Sequence, residues 1–267
     1  MHSIRSPYLE SVAARRRATI LAEYLPSRLD GFVDLALDGG SLAITVMSRH
    51  PGAFVTMAST ESELLTVWQV AQSEPEALVD AVTFHGDRHS RSYFAALRDS
   101  AVRGDAGRAG EVGAASESVE RAARFVYLRG SARADAHGRP LRRFDEAEYG
   151  RDSVAFDASN LLALGRLLAQ RDIAFLERPP FEVLGDIREG DLVLLDPPAD
   201  AVGGPSPREL RSLAGSITAR GGLVLAPGGG DAHAGWQASA GLTSLGRRDG
   251  LEIWVNGGLL RAHRDAG

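Results

Sequence analysis

The sequence predicts an α/β protein whose sheet is covered by helices on both faces. Short apolar runs, "GFVDLAL", "GAFVTMAS", "IAFLE", "LVLLD" and "GLVLAP", recur along the chain and read as buried strands. Longer segments with helical periodicity separate them, and strands alternating with helices mean an α/β sheet. The chain has 267 residues, of which 44% are hydrophobic, enough to build a proper core.

The elements follow in order. "SPYLESVAARRRATILAEYLPSRL" carries Val12, Ile20, Leu21, Tyr24 and Leu25 at helical spacing, with Pro26 near its end. "GFVDLAL" (Gly31–Leu37) is a short buried strand, and "DGGSLAITVMSRH" breaks and restarts as a helix. After the strand "GAFVTMAS", the stretches "ESELLTVWQVAQ" and "PEALVDAVTFHG" are two helices, the second with Pro75 in its first turn. From His85 to about Tyr149 the composition turns rich in Arg, Gly and Ala, with the loop "RGDAGRAGEVGAA" between two expected helices. This stretch reads as a helical insert. Regularity returns with helix "DASNLLALGRLLAQ", for which Asp157 is the expected N-cap. Strands "IAFLE" and "LVLLD", helix "SPRELRSLAGSITAR", strand "GLVLAP" and the segment "LEIWVNG" complete the chain. The expected division is residues 1–84 and 151–267 for the two parts of the core and 85–150 for the insert.

Composition removes several classes. A formal net charge of -5 argues against binding nucleic acid by bulk charge, although a local basic face remains open. The absence of cysteine excludes disulfides, thiolate metal sites and cysteine nucleophiles. No run of about 18 apolar residues exists, so no spanning helix and no membrane partner are expected. The Arg15–Arg17 run has no apolar stretch behind it, so it is not read as a signal peptide, and a cytoplasmic location is expected. All 30 basic residues are arginine, so any contact that needs a cation must use a guanidinium, which favours bidentate geometry.

The segment "GDLVLLDPPAD" (Gly190–Asp200) runs four apolar residues into Asp196, Pro197, Pro198 and Ala199. Asp and Pro punctuate structure, so one reading is a strand ending in a turn. The other is an acceptor fixed in a groove: a carboxylate and a nearby carbonyl can take the hydrogens of an amino group, and an aromatic after the prolines would stack on the ring that bears it. Ligands of α/β sheets bind beyond the carboxyl ends of strands. Asp34–Gly40 and Asp196–Ala199 both fall at such ends and are expected at one site.

Together these segments resemble the Dam family of DNA adenine-N6 methyltransferases (the D12 class). "LAEYLPSRLDGFVDLALDGGSLA" is similar to the family's Leu-Pro and Phe-Val-Glu-Pro-Phe-x-Gly-Gly-Gly-Ser block, and "GDLVLLDPPAD" to the stretch ending in Asp-Pro-Pro-Tyr. "FVYLRGSARADAHGRPLRRF" occupies the place of a conserved loop, and "RELRSLAGSITARGGLVLAPGG" and "LEIWVNG" look like the closing helix and strands. The resemblance implies a Rossmann-like methyltransferase sheet with a helical insert. It also implies S-adenosylmethionine as cofactor, with Asp34, Ala36, Asp38, Gly39, Gly40, Ser59 and Glu61 in the cofactor-binding positions and Asp196, Pro197, Pro198 and Ala199 in the catalytic ones.

Departures accompany the matches. The family's N-terminal lysine motif has no counterpart. The motif glutamate is Asp34, its Phe is Ala36, and the first glycine of the triplet is Asp38. The carboxylate that holds cofactor ribose hydroxyls falls on Ser59, with Glu61 two residues on as a substitute. A further carboxylate becomes Pro180, an Asn-Arg-Thr becomes "RGS", and the stacking Tyr is Ala199. The expectation is therefore a diverged homologue with weakened or silent catalysis, kept for nucleic-acid or protein-partner binding, a homo-oligomer included. The alternative is an active S-adenosylmethionine-dependent enzyme. Arginine density between positions 84 and 151 marks the part where the family recognises DNA, with Arg88, Arg91, Arg139, Arg142 and Arg143 as nucleic-acid contacts.

Other constellations are weaker. His85 and His89 in "HGDRH" stand four apart, but Gly86 argues against a regular helix and no third ligand is evident, so no metal is expected and a solvated helix start is the reading. "PGGGDAH" (Pro227–His233) reads as a flexible turn, since no Lys or Ser/Thr completes a P-loop. No Gly-x-Ser-x-Gly elbow follows a strand, which disfavours a serine hydrolase.

Overall fold

A computed structural model describes residues 4–103, 116–134, 144, 147–196, 205–228 and 235–264. The helices are α1 (Val12–Leu21), α2 (Ser41–Arg49), α3 (Ser62–Ser73), α4 (Pro75–Asp87), α5 (Arg91–Arg103), α6 (Glu117–Ser131), α7 (Ala158–Leu168), α8 (Pro180–Val183), α9 (Pro207–Ala219), α10 (Trp236–Ser239) and α11 (Gly257–Arg264). The strands are β1 (Gly31–Asp34), β2 (Phe54–Ser59), β3 (Ile173–Glu177), β4 (Leu192–Leu194), β5 (Leu223–Gly228), β6 (Thr243–Arg248) and β7 (Leu251–Val255). The chain forms two compact units: residues 1–15 with 61–170, and residues 16–60 with 171–267.

The second unit holds one seven-stranded sheet in the order β3-β2-β1-β4-β5-β7-β6. Strands β1 to β5 are parallel throughout, following the dinucleotide-binding order 3-2-1-4-5. The order then departs from it, because β7 inserts antiparallel between β5 and β6. This is the mixed α/β sheet expected of a Rossmann-like methyltransferase. Side chains alternate across a strand, so Val33, Val193, Leu195, Val224 and Ala226 share one face. There they pack against Val183 of α8, Leu210, Leu213, Ala214 and Ile217 of α9, and Trp236 of α10. Helix α2 packs on β1 and β2, and α11 on β5 and β7.

Local chemistry sets the element ends. Helix α9 begins at a full capping box: Glu209 N donates to Ser206 Oγ, and Ser206 N donates to the Glu209 carboxylate at 2.8 Å. The first strand stops at Asp34, not at Leu37 as the apolar run suggests, because the Asp34 carboxylate accepts the Ala36 N–H at 3.2 Å and turns the chain. Strand β6 and helix α11 have no counterpart in the sequence reading. The "TSLGRR" of β6 is mostly exposed and lacks an apolar run, and pairing with β7 makes it a strand. Asn256 joins these parts. Its Oδ1 accepts from Val224 N and Leu259 N, both at 3.1 Å, while Nδ2 donates to Gly222 O at 2.8 Å and Thr218 Oγ1 at 3.1 Å.

The first unit is helical. Helix α6 is its centre: every residue from Val119 to Ser131 except Arg121 is buried. Helices α3, α4 and α5 pack on it, and α7 packs on α3 and α4. The last of these packings is close, since a Cβ on Gly165 would lie 2.7 Å from Pro75 Cβ and 2.8 Å from the Ala71 carbonyl oxygen. Asp157 caps α7 by accepting from Asn160 N at 3.0 Å.

Asn256→Ala strips two donors, Val224 N and Leu259 N, and two acceptors, Gly222 O and Thr218 Oγ1, of their partner at once. It should lower unfolding free energy by about 2–4 kcal/mol, read from urea denaturation midpoints at unchanged m-value.

Candidate functional site

The strand order reverses between β1 and β4, and such a switch point opens a crevice at the carboxyl ends of the strands. The register pairs Asp34 with Leu194, so Asp196, two residues on, lies on the same face as Asp34. Asp34 is 6% exposed, and the Asp196 side chain is 20% exposed. Burial pushes the Asp34 carboxyl up to about 7; the Ala36 N–H opposes this, and the charges of Asp196 and Asp38 add to it. Asp196 is also raised by burial, with Arg17 opposing and Asp38 adding. Three carboxylates thus act on one another at the end of β1 and β4.

The rest of the β1–α2 turn is built around this point. Leu35 and Leu37 are core residues, Ala36 and Asp38 are half-buried, and Gly39 and Gly40 are buried. Leu37 N donates to Ala58 O at 2.9 Å, tying the turn to the end of β2. Gly40 takes φ 68° at the residue before α2, the left-handed region where a side chain would be strained. Ser59 ends β2 and is 7% exposed. Glu61 belongs to the helical unit, where it immediately precedes α3 and is half-buried. Pro197, Pro198 and Ala199 lie outside the described residues.

Arg17 is a member of the site that the sequence reading does not find. Its Nη1 donates to Asp196 Oδ1 at 2.6 Å. Arg15–Arg17 looks like a solvated basic run, and only helical phase separates its members: Arg16 turns to Asp249 at 3.1 Å while Arg17 turns to Asp196.

In the helical unit the histidine reading needs correction. Helix α4 runs through Gly86 to Asp87, and His85 is fully buried, not a solvated helix start. Its Nδ1 shares a hydrogen bond of 2.8 Å with Tyr93 Oη, and its Nε2 lies 3.6 Å from Glu120 Oε1. Burial, with Arg124 and Arg88 adding, takes the imidazole down to about 4, so it is neutral at pH 7. His89 bonds to Tyr127 Oη and to Arg151 O, both at 2.9 Å. Among the described residues no three His, Asp or Glu converge as metal ligands.

The arginines of this unit divide. Arg124 is buried against Glu63 at 2.7 Å, and buried Arg129 donates to Leu9 O at 3.2 Å, so both are internal. Arg88 and Arg91 are exposed; Arg88 lies over the Phe84 ring at 3.4 Å, and Arg91 over Tyr149 at 5.4 Å. Tyr149 in turn stacks on His89 at 5.2 Å. Arg139, Arg142 and Arg143, and most of "PGGGDAH", lie outside the described residues.

No protein-family model matches the chain. It is similar to the Type II methyltransferase M1.LlaDCHI of Lactococcus lactis subsp. cremoris, at 25% identity over 200 residues. The match covers 72% of this chain and 65% of that protein, so the chain spans less than two thirds of the relative's length.

The raised Asp34 pKa makes stability depend on pH in a definite direction. Between about pH 4 and pH 7 the folded state holds a proton that the unfolded state has released, so this contribution is full below about 4 and is lost as pH rises through about 7. Asp34→Asn removes it. The variant should gain stability relative to the wild type on going from pH 5 to pH 8, by about 3 kcal/mol at most, read from paired denaturation curves. A gap between the two proteins that does not change with pH would contradict the assignment.

Proposed function

We propose that the chain is a diverged relative of the Dam-like DNA adenine-N6 methyltransferases, kept for binding nucleic acid or a protein partner, with weakened or absent methyl transfer. The observation that carries this reading is the β1–β4 switch point. Asp34 and Asp196 come from neighbouring strand ends of a Rossmann-like sheet, in a chain similar to a Type II methyltransferase, and this supports the reading. A carboxylate at the end of a strand, followed by two prolines, suits the amino group of a base turned out of its stack.

The crevice fits S-adenosylmethionine in part. Asp34, Asp38 and Asp196 favour a cationic group, and the left-handed Gly40 turns the chain into α2 beside them. Ser59 offers a hydroxyl at the position where the resemblance implies a carboxylate for a ribose. When bound, the cofactor would supply an activated methyl group. This chain's contribution would be the acceptor at Asp196 and the strand-end turn. Ala199 leaves the flipped base without an aromatic wall, and loss of such a wall weakens base binding by about 1–3 kcal/mol.

Nucleic acid would meet the helical unit. Exposed Arg88 and Arg91 stand over aromatic rings, a pairing of cations and π-faces that suits phosphates and bases alike. Arg139, Arg142 and Arg143 are proposed as further contacts from the sequence alone.

Two measurements test the reading. Titration calorimetry with S-adenosylmethionine should give a dissociation constant weaker than about 100 μM, or roughly -5.5 kcal/mol. Low-micromolar binding, or cofactor carried through purification, would restore the active enzyme. Fluorescence titration with duplex and single-stranded DNA at several salt concentrations should show binding that falls steeply with salt. Arg88→Ala, Arg91→Ala and the Arg139/Arg142/Arg143→Ala variant should each flatten that salt dependence, by about one unit of slope for every phosphate left without its arginine. Absence of binding at low salt would leave the protein partner as the retained function.

A further inference from the structure

We infer that Arg17 is a positioning residue beside the strand end, whose guanidinium opposes protonation of Asp196 and holds its carboxyl group where it can accept hydrogens from an amino group. The functional consequence rests on the reading above, while the Arg17–Asp196 link stands on geometry.

A carboxyl group can serve as a two-oxygen acceptor only when it has lost its proton, because a protonated one turns an oxygen into a donor. Asp196 is placed where losing it is hard. It sits at the end of a buried parallel strand, and the like charges of Asp38 and, through the Asp34 coupling, of β1 face it. A lone carboxylate in such a place takes up a proton rather than bear the desolvation. Arg17 supplies the opposite charge at 2.6 Å, the spacing of a charge-assisted hydrogen bond, and it engages Oδ1. A guanidinium stays charged at any working pH, so the support does not switch off. Arg17 is held for this task by its neighbours on α1. Arg16 pairs with Asp249 of the β6–β7 turn, and Ala18, Ile20 and Leu21 are buried, which fixes the helical phase of Arg17.

The test reads the proton on Asp196 directly. The protein is labelled with 13C at aspartate carboxyls, the Asp196 signal is identified by its loss in Asp196→Asn, and its titration is followed in wild type, Arg17→Gln, Arg17→Lys and Arg16→Gln. In Arg17→Gln the midpoint should rise by about one pH unit or more, a tenfold gain in proton affinity. Arg17→Lys should recover part of that shift, and Arg16→Gln, which frees the same helix without touching Asp196, should leave the midpoint in place. A midpoint unmoved in Arg17→Gln, or moved equally in Arg16→Gln, would overturn the inference. The wild-type protein gives a second reading that needs no variant to fold: the Arg17 guanidinium 15N signals should titrate with the Asp196 midpoint, and signals indifferent to it would overturn the inference too. No ligand enters these measurements, so failure of the methyltransferase reading would show separately, as absent binding of an adenine nucleoside with the Asp196 shifts intact.

Discussion

Parallel strands that are neighbours in a sheet but not in sequence need crossovers, and crossovers that leave in opposite directions cannot cover the point where they part. That constraint acts on β1 and β4. From β1 the chain builds outward through β2 to β3, and from β4 it builds the other way to β5. The residues just past β1 and β4 therefore leave the two strands side by side. The carboxylates of Asp34 and Asp196 are in each other's field because of this topology, since 162 positions separate them along the chain. The Asp34–Ala36 turn, the left-handed Gly40 and the Arg17 hydrogen bond are local solutions for keeping charge at that exit.

The helical unit manages buried charge by a different route. Glu120 and Arg124 are one turn apart on α6, and both are buried. Arg124 reaches Glu63 on α3, and Glu120 faces His85 on α4. The Arg124–Glu63 hydrogen bond thereby ties α6 to α3 in addition to apolar packing. Burial raises Glu120 and lowers His85, so the pair is biased toward its uncharged forms, the cheaper arrangement away from water. The cations of this unit are guanidinium groups, and the fork serves both the ion pair at Arg124 and the ring stacking of Arg129 with Tyr8.

Much of the sheet is legible in the sequence because strand and helix periods differ and the apolar runs are clean. Asp157, Ser206 and Pro75 mark helix starts that hydrogen bonding or position then explains. The joint location of Asp34 and Asp196 follows from a general property of strand ends and needs no long-range contact. What stays hidden is tertiary. Nothing in "TSLGRR" announces a strand until β7 lies beside it. His85 looks solvated because Gly86, Asp87 and Arg88 follow it in sequence, whereas its neighbours in space are Tyr93, Tyr127 and Glu120. Arg17 sits inside a run of three identical residues, and only the phase of α1 distinguishes the one that meets a carboxylate.

The hairpin that closes the sheet has a consequence for how the molecule opens. Its tip, Asp249-Gly250, takes positive φ at both residues, 50° and 83°, the turn that matches strand twist. Asp249 of the tip pairs with Arg16, and Arg248 just before it pairs with Glu23. Each exposed pair alone is worth little. Closing one raises the effective concentration of the other, so the two act as a bivalent latch. Local opening that lifts the hairpin tip therefore breaks both pairs together.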